Sequence, residues 1–237
     1  MSILFISDLH LSPERPEITR AFLNFLQEQA TRAKALYILG DLFEAWVGDD
    51  DDTPLCIEVQ SALKKLTSSG IDLFIQHGNR DFLIGRKFIA NTGAFLLADE
   101  HIIEHYNHTA LVMHGDTLCT DDVDYQRFRR KARHPLYKWA LGLLPLKRRQ
   151  RLARDWRAKS AAANKNKPSE IMDVNGDAVD RVMKKHGINV LIHGHTHRPN
   201  RHPVNYGERI VLGDWEAKGW LLTLDKSGYQ LDSFSIT

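Results

Sequence analysis

Five short fragments of this 237-residue sequence carry side chains able to bind metal ions: Asp8-Leu9-His10, Gly40-Asp41, Gly78-Asn79-Arg80-Asp81, His114-Gly115-Asp116 and Gly194-His195-Thr196-His197. Asp8, His10, Asp41, Asn79, His114, His195 and His197 together offer carboxylate, amide-oxygen and imidazole donors. Such a mixed set suits Mn²⁺, Fe²⁺ or Zn²⁺ better than Mg²⁺. It needs no thiol, so a cysteine-rich structural zinc site is not implied. Seven donors are too many for one tetrahedral ion and match two ions sharing a bridging carboxylate. If the segments are extended, the period-2 spacing of Asp-X-His and of His-X-His turns both side chains of each pair the same way. The neighbouring glycines let backbone approach a metal or substrate closely. Each fragment alone is a weak signal, but chance is a poor explanation for five in this order, each at the end of a strand.

The elements that must position these residues read as strands and helices in alternation. Apolar runs at 2–7, 35–39, 71–76, 94–97, 102–106, 109–113 and 189–193 predict strands, most of them leading straight into a donor fragment. Helical spacing follows the first strand (Ile18, Phe22, Phe25, Leu26, Ala30), and further helices are predicted around 54–68 and 81–91. Residues 122–167 are helical and divided by Pro135 and Pro145. Another helix is predicted from Pro168-Ser169 to His186, with Ser169 as its cap and Gly187 as its stop. Three β segments near 209–213, 219–225 and 229–236 finish the chain. In open α/β sheets ligands gather beyond the carboxyl ends of strands, so five such loops can converge on one place. The layout is an α/β sandwich, predicted as a core of 1–121 and 168–237 interrupted by a helical cap at 122–167.

Composition sets the context. With 43% hydrophobic and 26% charged residues the chain can bury a core. No apolar run approaches the roughly 20 residues that span a bilayer. The start lacks the features of a secretory signal, and Cys56 and Cys119 make no disulfide framework, which fits a reducing cytoplasm. The net charge of +2 hides an asymmetry: from Gln126 to Lys167 there are 15 Lys or Arg and a single acid, Asp155, a balance of +14, and the remainder carries −12. Two surfaces with different jobs are expected. The basic stretch also holds Phe128, Leu136, Tyr137, Trp139, Leu141, Leu143, Leu144 and Leu146. These are more apolar residues than a short cap needs for its own packing, so a lipid-facing surface is expected there. Trp46, in the loop after Asp41, is expected to wall an apolar cleft, and Trp215 and Trp220 are expected in the core.

The order of the five donor fragments resembles the signature of calcineurin-like metallophosphoesterases. The resemblance implies a four-layer α/β/β/α sandwich and two metal ions. By position, Asp8, His10, Asp41 and His197 would hold the first ion, and Asp41, Asn79, His114 and His195 the second, with Asp41 bridging. Two ions would lower the pKa of a shared water for attack on phosphorus. Asn79, Arg80 and His195 would act on the phosphate, Arg80 by neutralising charge on the phosphoryl oxygens.

Longer strings, ILGDLFEAWVGDDD at 38–51, HGNRDFLIG at 77–85, MHGDTLCTDD at 113–122, EIMDVN at 170–175 and LIHGHTHRP at 191–199, resemble more narrowly the UDP-2,3-diacylglucosamine pyrophosphatases of Gram-negative lipid A biosynthesis. That resemblance implies Mn²⁺, a nucleotide-activated glycolipid substrate cleaved at its α phosphorus, and a cytoplasmic protein resting on the anionic inner face of the inner membrane, with no nucleic acid and no obligate protein partner. It places substrate contacts at Asp122, Ser160, Asn164 and Lys167 beside Asn79, Arg80 and His195. Spacing adds Arg157: with Ser160, Asn164 and Lys167 it falls on one face if the helix continues to Pro168. The tail near Asp214-Trp215-Glu216 follows a strand end but supplies no expected ligand, so it reads as a rim or structural feature. The alternatives are another dimetal phosphodiesterase, such as a nuclease, and a non-catalytic scaffold. The leucines of the cap argue against the first and the complete donor set against the second.

Overall fold

A computed structural model describes residues 1–164, 167–168 and 171–236, with the side chain of Asn164 outside that description. Eleven strands form two sheets among the described residues. The first has the order β11(Gly228–Ser235), β10(Lys218–Asp225), β1(Ile3–Ile6), β2(Ala35–Ile38), β3(Asp72–Ile75) and β4(Phe95–Leu96). The second has the order β5(His101–His105), β6(His108–Met113), β7(Val190–His193), β9(Gly207–Val211) and β8(Asn200–Val204). Strands β1, β2 and β3 run parallel, as do β6, β7 and β9, so their carboxyl ends lie together within each sheet.

Alternation along each strand builds the layers. Ile3, Phe5, Ala35, Tyr37 and Leu39 face Ile103, Ala110, Val112, Ile192 and Ile210 in a core between the two sheets. The opposite face of the first sheet, including Leu4, Ile6, Leu36, Ile38, Leu73 and Ile75, packs on α1(Pro16–Glu28), α2(Pro54–Ser68) and α3(Arg86–Thr92). The outer face of the second sheet, Leu111, Met113 and Leu191, packs on Ala178, Val179, Val182 and Met183 of α7(Gly176–His186). The result is the expected four-layer α/β/β/α sandwich. Its helices begin where the backbone loses least: Pro16 and Pro54 occupy first-turn positions whose N–H groups have no helical acceptor.

Three helices lie between the third and seventh: α4(Val123–Ala132), α5(Pro135–Gly142) and α6(Leu146–Asn164). Phe128 and Tyr137 pack against Trp156, joining the three to one another. Charged pairs join them to the sandwich. Arg129 and Arg133 bond Asp99, Arg129 also bonds the buried Asp116, and Arg149 bonds Asp50 and the carbonyl of Val47.

Three elements and two tryptophans differ from expectation. The third helix begins at Arg86 rather than 81, because the Asp81 carboxylate accepts the N–H groups of Leu42 and Gly78 and holds 81–85 in a turn. Asp49 then receives the N–H groups of Gly85, Lys87 and Phe88 at the start of the helix. The helix expected from Pro168 begins only at Gly176, because Asn175 caps it by accepting the N–H of Ala178; Ser169 lies outside the described residues. Strand β8 was not expected, since Pro203 weakens the pattern; it is an edge strand, where a missing N–H is tolerated. Trp46 walls no cleft: it is 2% exposed, packs on Phe43 and Phe88, and donates its indole N–H to Asp49. Trp215 is buried as expected, whereas Trp220 is half-buried.

Candidate metal centre

The donor loops follow β1, β2, β3, β6 and β7, and they share an unusual backbone. Asp8, His10, Asp41, His195 and His197 all have positive φ, between 50° and 68°. Residues with a Cβ seldom adopt this conformation, and each instance costs on the order of 1–3 kcal/mol. The surrounding hydrogen bonds enforce it. The N–H of Asp8 donates to Gly40 O, that of His10 to Asp41 O, and that of Gly194 to His114 O, which ties the loops to each other. The extended geometry expected for Asp-X-His is therefore replaced by left-handed residues that still bring Asp8 and His10 together. His195 and His197 do not turn the same way: His195 lies against Asn79, and His197 against Asp8 and His10.

Two glycines allow the carboxylates to sit where they do. A Cβ on Gly78 would lie 2.1 Å from Asp41 Oδ1, and one on Gly194 would lie 2.2 Å from Asp8 Oδ2. Only hydrogen fits at either place. Ser7 Oγ donates to Asp8 Oδ2, which also accepts the N–H of His195. Asp41 Oδ1 accepts the N–H of Arg80. One oxygen of each carboxylate is thus fixed by the protein and the other is turned inward.

The inward atoms form two overlapping groups whose donors lie within 4.8 Å of one another: Asp8, His10 and His197, and Asp8, Asp41 and His114. Asp41 Oδ2 is 4.0 Å from His10 Nδ1 and 3.8 Å from His114 Nε2, so it stands between the two imidazole sets. Asn79 Oδ1 lies 3.0 Å from His114 Nε2 and 2.9 Å from His195 Nδ1. His114 donates Nδ1–H to the carbonyl of Leu39, which fixes its tautomer and leaves Nε2 free to ligate. Buried Asp8 Oδ1 and His10 Nδ1 have no hydrogen-bond partner, an expensive condition that a cation would relieve. The donor set, its burial and these orphaned atoms fit two divalent cations.

The electrostatics point the same way. Burial pushes Asp41 up to about 7, reinforced by Asp81 and Asp8 and opposed by His114 and Arg80. Burial also drives His195 down to about 4, with His114 adding to the effect. Burial lowers His197 too, but Asp214 and Asp8 outweigh it and hold the imidazole near 10. Without a cation the cluster must hold protons to balance its carboxylates, and binding a cation would release them.

Around this centre, Arg80 donates Nη1–H to Glu44 Oε2 at 2.7 Å and places Nε 3.5 Å from Asp41 Oδ2. Arg157 reaches the other oxygen of Glu44 from α6. Asp122 caps α4 by accepting the N–H of Tyr125, whose ring lies 5.8 Å from that of His195, and it pairs with Lys167 at 2.6 Å. Lys167 does not extend the face of Arg157 and Ser160: α6 is described as far as Asn164, and Lys167, just before Pro168, is not helical. Ser160 is exposed on α6. Of two further contributors, Glu44 was missed from sequence and Asp214 was read only as a rim or structural feature. Asp214, after β9, lies 3.4 Å from His197 Nδ1 and orients that ring; Gly213-Asp214 repeats the Gly-Asp at a strand end that marks Asp41. Glu44 carries no such mark.

The calcineurin-like phosphoesterase family pattern matches residues 1–199. The chain belongs to that family. Within it, this phosphoesterase is 50% identical over 236 residues to a protein of Pseudomonas fluorescens named UDP-2,3-diacylglucosamine hydrolase, spanning 98% of this chain and 94% of that one. Proteins of the same name from Pseudomonas entomophila (51% identity, 99% and 100% covered) and Cellvibrio japonicus (50%, 100% and 100% covered) match as fully. The match to the Cellvibrio japonicus protein covers the whole of this chain, residues 122–167 included.

Proposed function

We infer that this phosphoesterase hydrolyses the diphosphate of UDP-2,3-diacylglucosamine in lipid A biosynthesis. The single observation that carries the reading is the full-length match to hydrolases of that name, on a chain whose seven donors converge. The products are UMP and 2,3-diacylglucosamine 1-phosphate, with water adding at the α phosphorus.

Asp8, His10, Asp41 and His197 would hold one cation, and Asp41, Asn79, His114 and His195 the other, with Asp41 bridging; Mn²⁺ suits the mixed donors. When bound, the pair supplies Lewis-acid charge and lowers the pKa of water. The rest is done by the chain. Arg80 presents its guanidinium from the loop that also presents Asn79, so charge gathering on the phosphoryl oxygens is met by a fixed donor. Asp214 and Leu39 O hold the rings of His197 and His114 in register. Asp122, Arg157, Ser160, Asn164 and Lys167 are the substrate contacts we assign on the cap side.

The cap, residues 122–167, is also the lipid-facing part of this reading. Leu136, Trp139 and Leu143 are 69%, 65% and 66% exposed. An open hollow of about 540 Å³ on α4 and α5 is lined by Arg130, Lys131, His134, Leu136, Tyr137 and Ala140. Exposed apolar side chains beside cations suit an anionic bilayer surface, at roughly 1 kcal/mol for each well-placed Lys or Arg. No described helix is long and apolar enough to cross a membrane. In this reading the basic and apolar face of the cap attaches peripherally to the cytoplasmic face of the inner membrane.

The test is turnover of UDP-2,3-diacylglucosamine by the Mn²⁺-loaded protein against oligonucleotides and bis(p-nitrophenyl) phosphate. Hydrolysis of the glycolipid with strong preference over both is expected. Preference for oligonucleotides would replace this reading with a nuclease.

A further inference from the structure

We propose that Glu44 is a positioning residue that ties an arginine of the cap to an arginine of the catalytic loop, so that the two meet a phosphate as a preset pair. The proposal rests on the reading of this centre as a phosphoanhydride hydrolase. Glu44 lies three residues beyond Asp41, and its N–H is held by Leu11 O. Its carboxylate divides between two guanidiniums, one from the loop after β3 and one from α6. Oε2 accepts from Arg80 Nη1 at 2.7 Å, and Oε1 accepts from Arg157 Nη2 of α6. Oε2 also lies 3.5 Å from His10 Nδ1, which puts this junction at the edge of the donor cluster.

Three features separate this from an ordinary surface ion pair. All three side chains are partly buried, at 29%, 20% and 34% exposure for Glu44, Arg80 and Arg157, so solvent screens them less than a fully exposed pair. The Glu44 carboxylate is shared by two guanidiniums, of which Arg80 also faces Asp41 through Nε at 3.5 Å, and the N–H groups these contacts leave over can be offered to a phosphate oxygen. The third feature is the route to the cap. α6 is tied to the sandwich by Arg149 with Asp50 and by Arg157 with Glu44, and only the second tie ends beside Asn79 and Asp41. Glu44 cannot itself bind a phosphate, since like charges repel. It acts through the arginines, by fixing the spacing of two long side chains that would otherwise have to be ordered by the substrate.

A double-mutant cycle on Glu44→Gln and Arg157→Ala in saturating Mn²⁺ tests this, with KM for UDP-2,3-diacylglucosamine and Tm measured together. Glu44→Gln keeps the size of the side chain and removes its charge. Each single change should raise KM about tenfold, and the double variant should lie within about twofold of the worse single, because the two residues work as one unit. Arg157→Lys, which keeps charge but not the fork, should raise KM in the parent and have no further effect in Glu44→Gln. Effects on KM that multiply would overturn the proposal. So would a fall in Tm with KM unchanged, which would make Glu44 a structural tie only. Calorimetric binding of UMP reads the same coupling without turnover. A parent protein that fails to hydrolyse the glycolipid would therefore count against the functional reading, while the coupling between Glu44 and Arg157 was still decided.

Discussion

Replacing Gly78 with alanine isolates the geometry of the Asp41 carboxylate, the bridge in the proposed centre, without removing any donor. The added Cβ would lie 2.1 Å from Asp41 Oδ1, 2.3 Å from the Asp41 backbone nitrogen and 2.7 Å from its carboxyl carbon. Ordinary contacts to carbon open at about 3.5 Å, so Asp41 or the Gly78 loop must retreat by more than about 1 Å. Neither can do so freely. The Gly78 N–H is held by Asp81 Oδ1, and Asp41 Oδ1 by the N–H of Arg80. A catalytic constellation tolerates about 0.5 Å, and a 1 Å misplacement can cost about 10²-fold in rate. Gly78→Ala should therefore lower turnover and Mn²⁺ affinity by about 10²-fold each, while overpacking costs the fold about 1–3 kcal/mol. Calorimetric titration of Mn²⁺, kcat at saturating Mn²⁺ and thermal unfolding read the three quantities separately. Asp41→Ala, which removes the bridge outright, sets the floor for both functional measurements. A Gly78→Ala protein within threefold of the parent in turnover and Mn²⁺ affinity would refute the claim that this close approach positions the centre.

Arg80 and Lys167 should divide their effects. Arg80→Ala lowers kcat, because its guanidinium meets charge that develops during reaction, and Lys167→Ala raises KM; equal changes in both parameters from both variants would contradict this. Replacing Leu136, Trp139 and Leu143 together with serine should weaken flotation with anionic vesicles, and salt should weaken that of the parent, since screening reaches the cationic part of the attraction. Unchanged flotation would place the membrane surface elsewhere. A last expectation concerns pH. Burial raises the carboxyl of Asp99, but Arg133 and Arg129 outweigh it and hold the group below its ordinary value. A carboxylate depressed in the folded protein stabilises it above the unfolded pKa and ceases to do so as pH falls through the folded one. The Tm of the parent should thus fall more steeply than that of Asp99→Asn below about pH 4.

The donors were legible in the sequence because chemistry and topology coincide there. Asp8, Asp41, Asn79, His114 and His195 each follow an apolar strand, and residue type alone names them as candidate donors. The backbone that aims them was not legible. Nothing in Asp-Leu-His announces positive φ at both ends, because that conformation is imposed by hydrogen bonds to Gly40 and Asp41, some thirty residues away. Contacts made across long separations were equally hidden. Glu44 meets Arg157 113 positions later, and Lys167 meets Asp122 45 positions earlier. Asp214 could have been found, since it repeats the Gly-Asp pattern at a strand end, but it orients a histidine instead of standing among the expected ligands. The sequence sets the basic stretch apart from the acidic remainder as a surface of its own. The structure divides it: Arg129, Arg133, Arg149 and Arg157 turn inward to carboxylates of the sandwich, while Arg130, Lys131, Lys147, Arg148, Arg151 and Arg154 stay exposed.

Hydrolysis in ¹⁸O-labelled water tests the central claim most directly, that cations held by these seven residues direct water to the α phosphorus of a nucleotide diphosphate. Mass analysis of both products after a single turnover should find the label in UMP. Label in 2,3-diacylglucosamine 1-phosphate would place the attack at the other phosphorus and contradict the account.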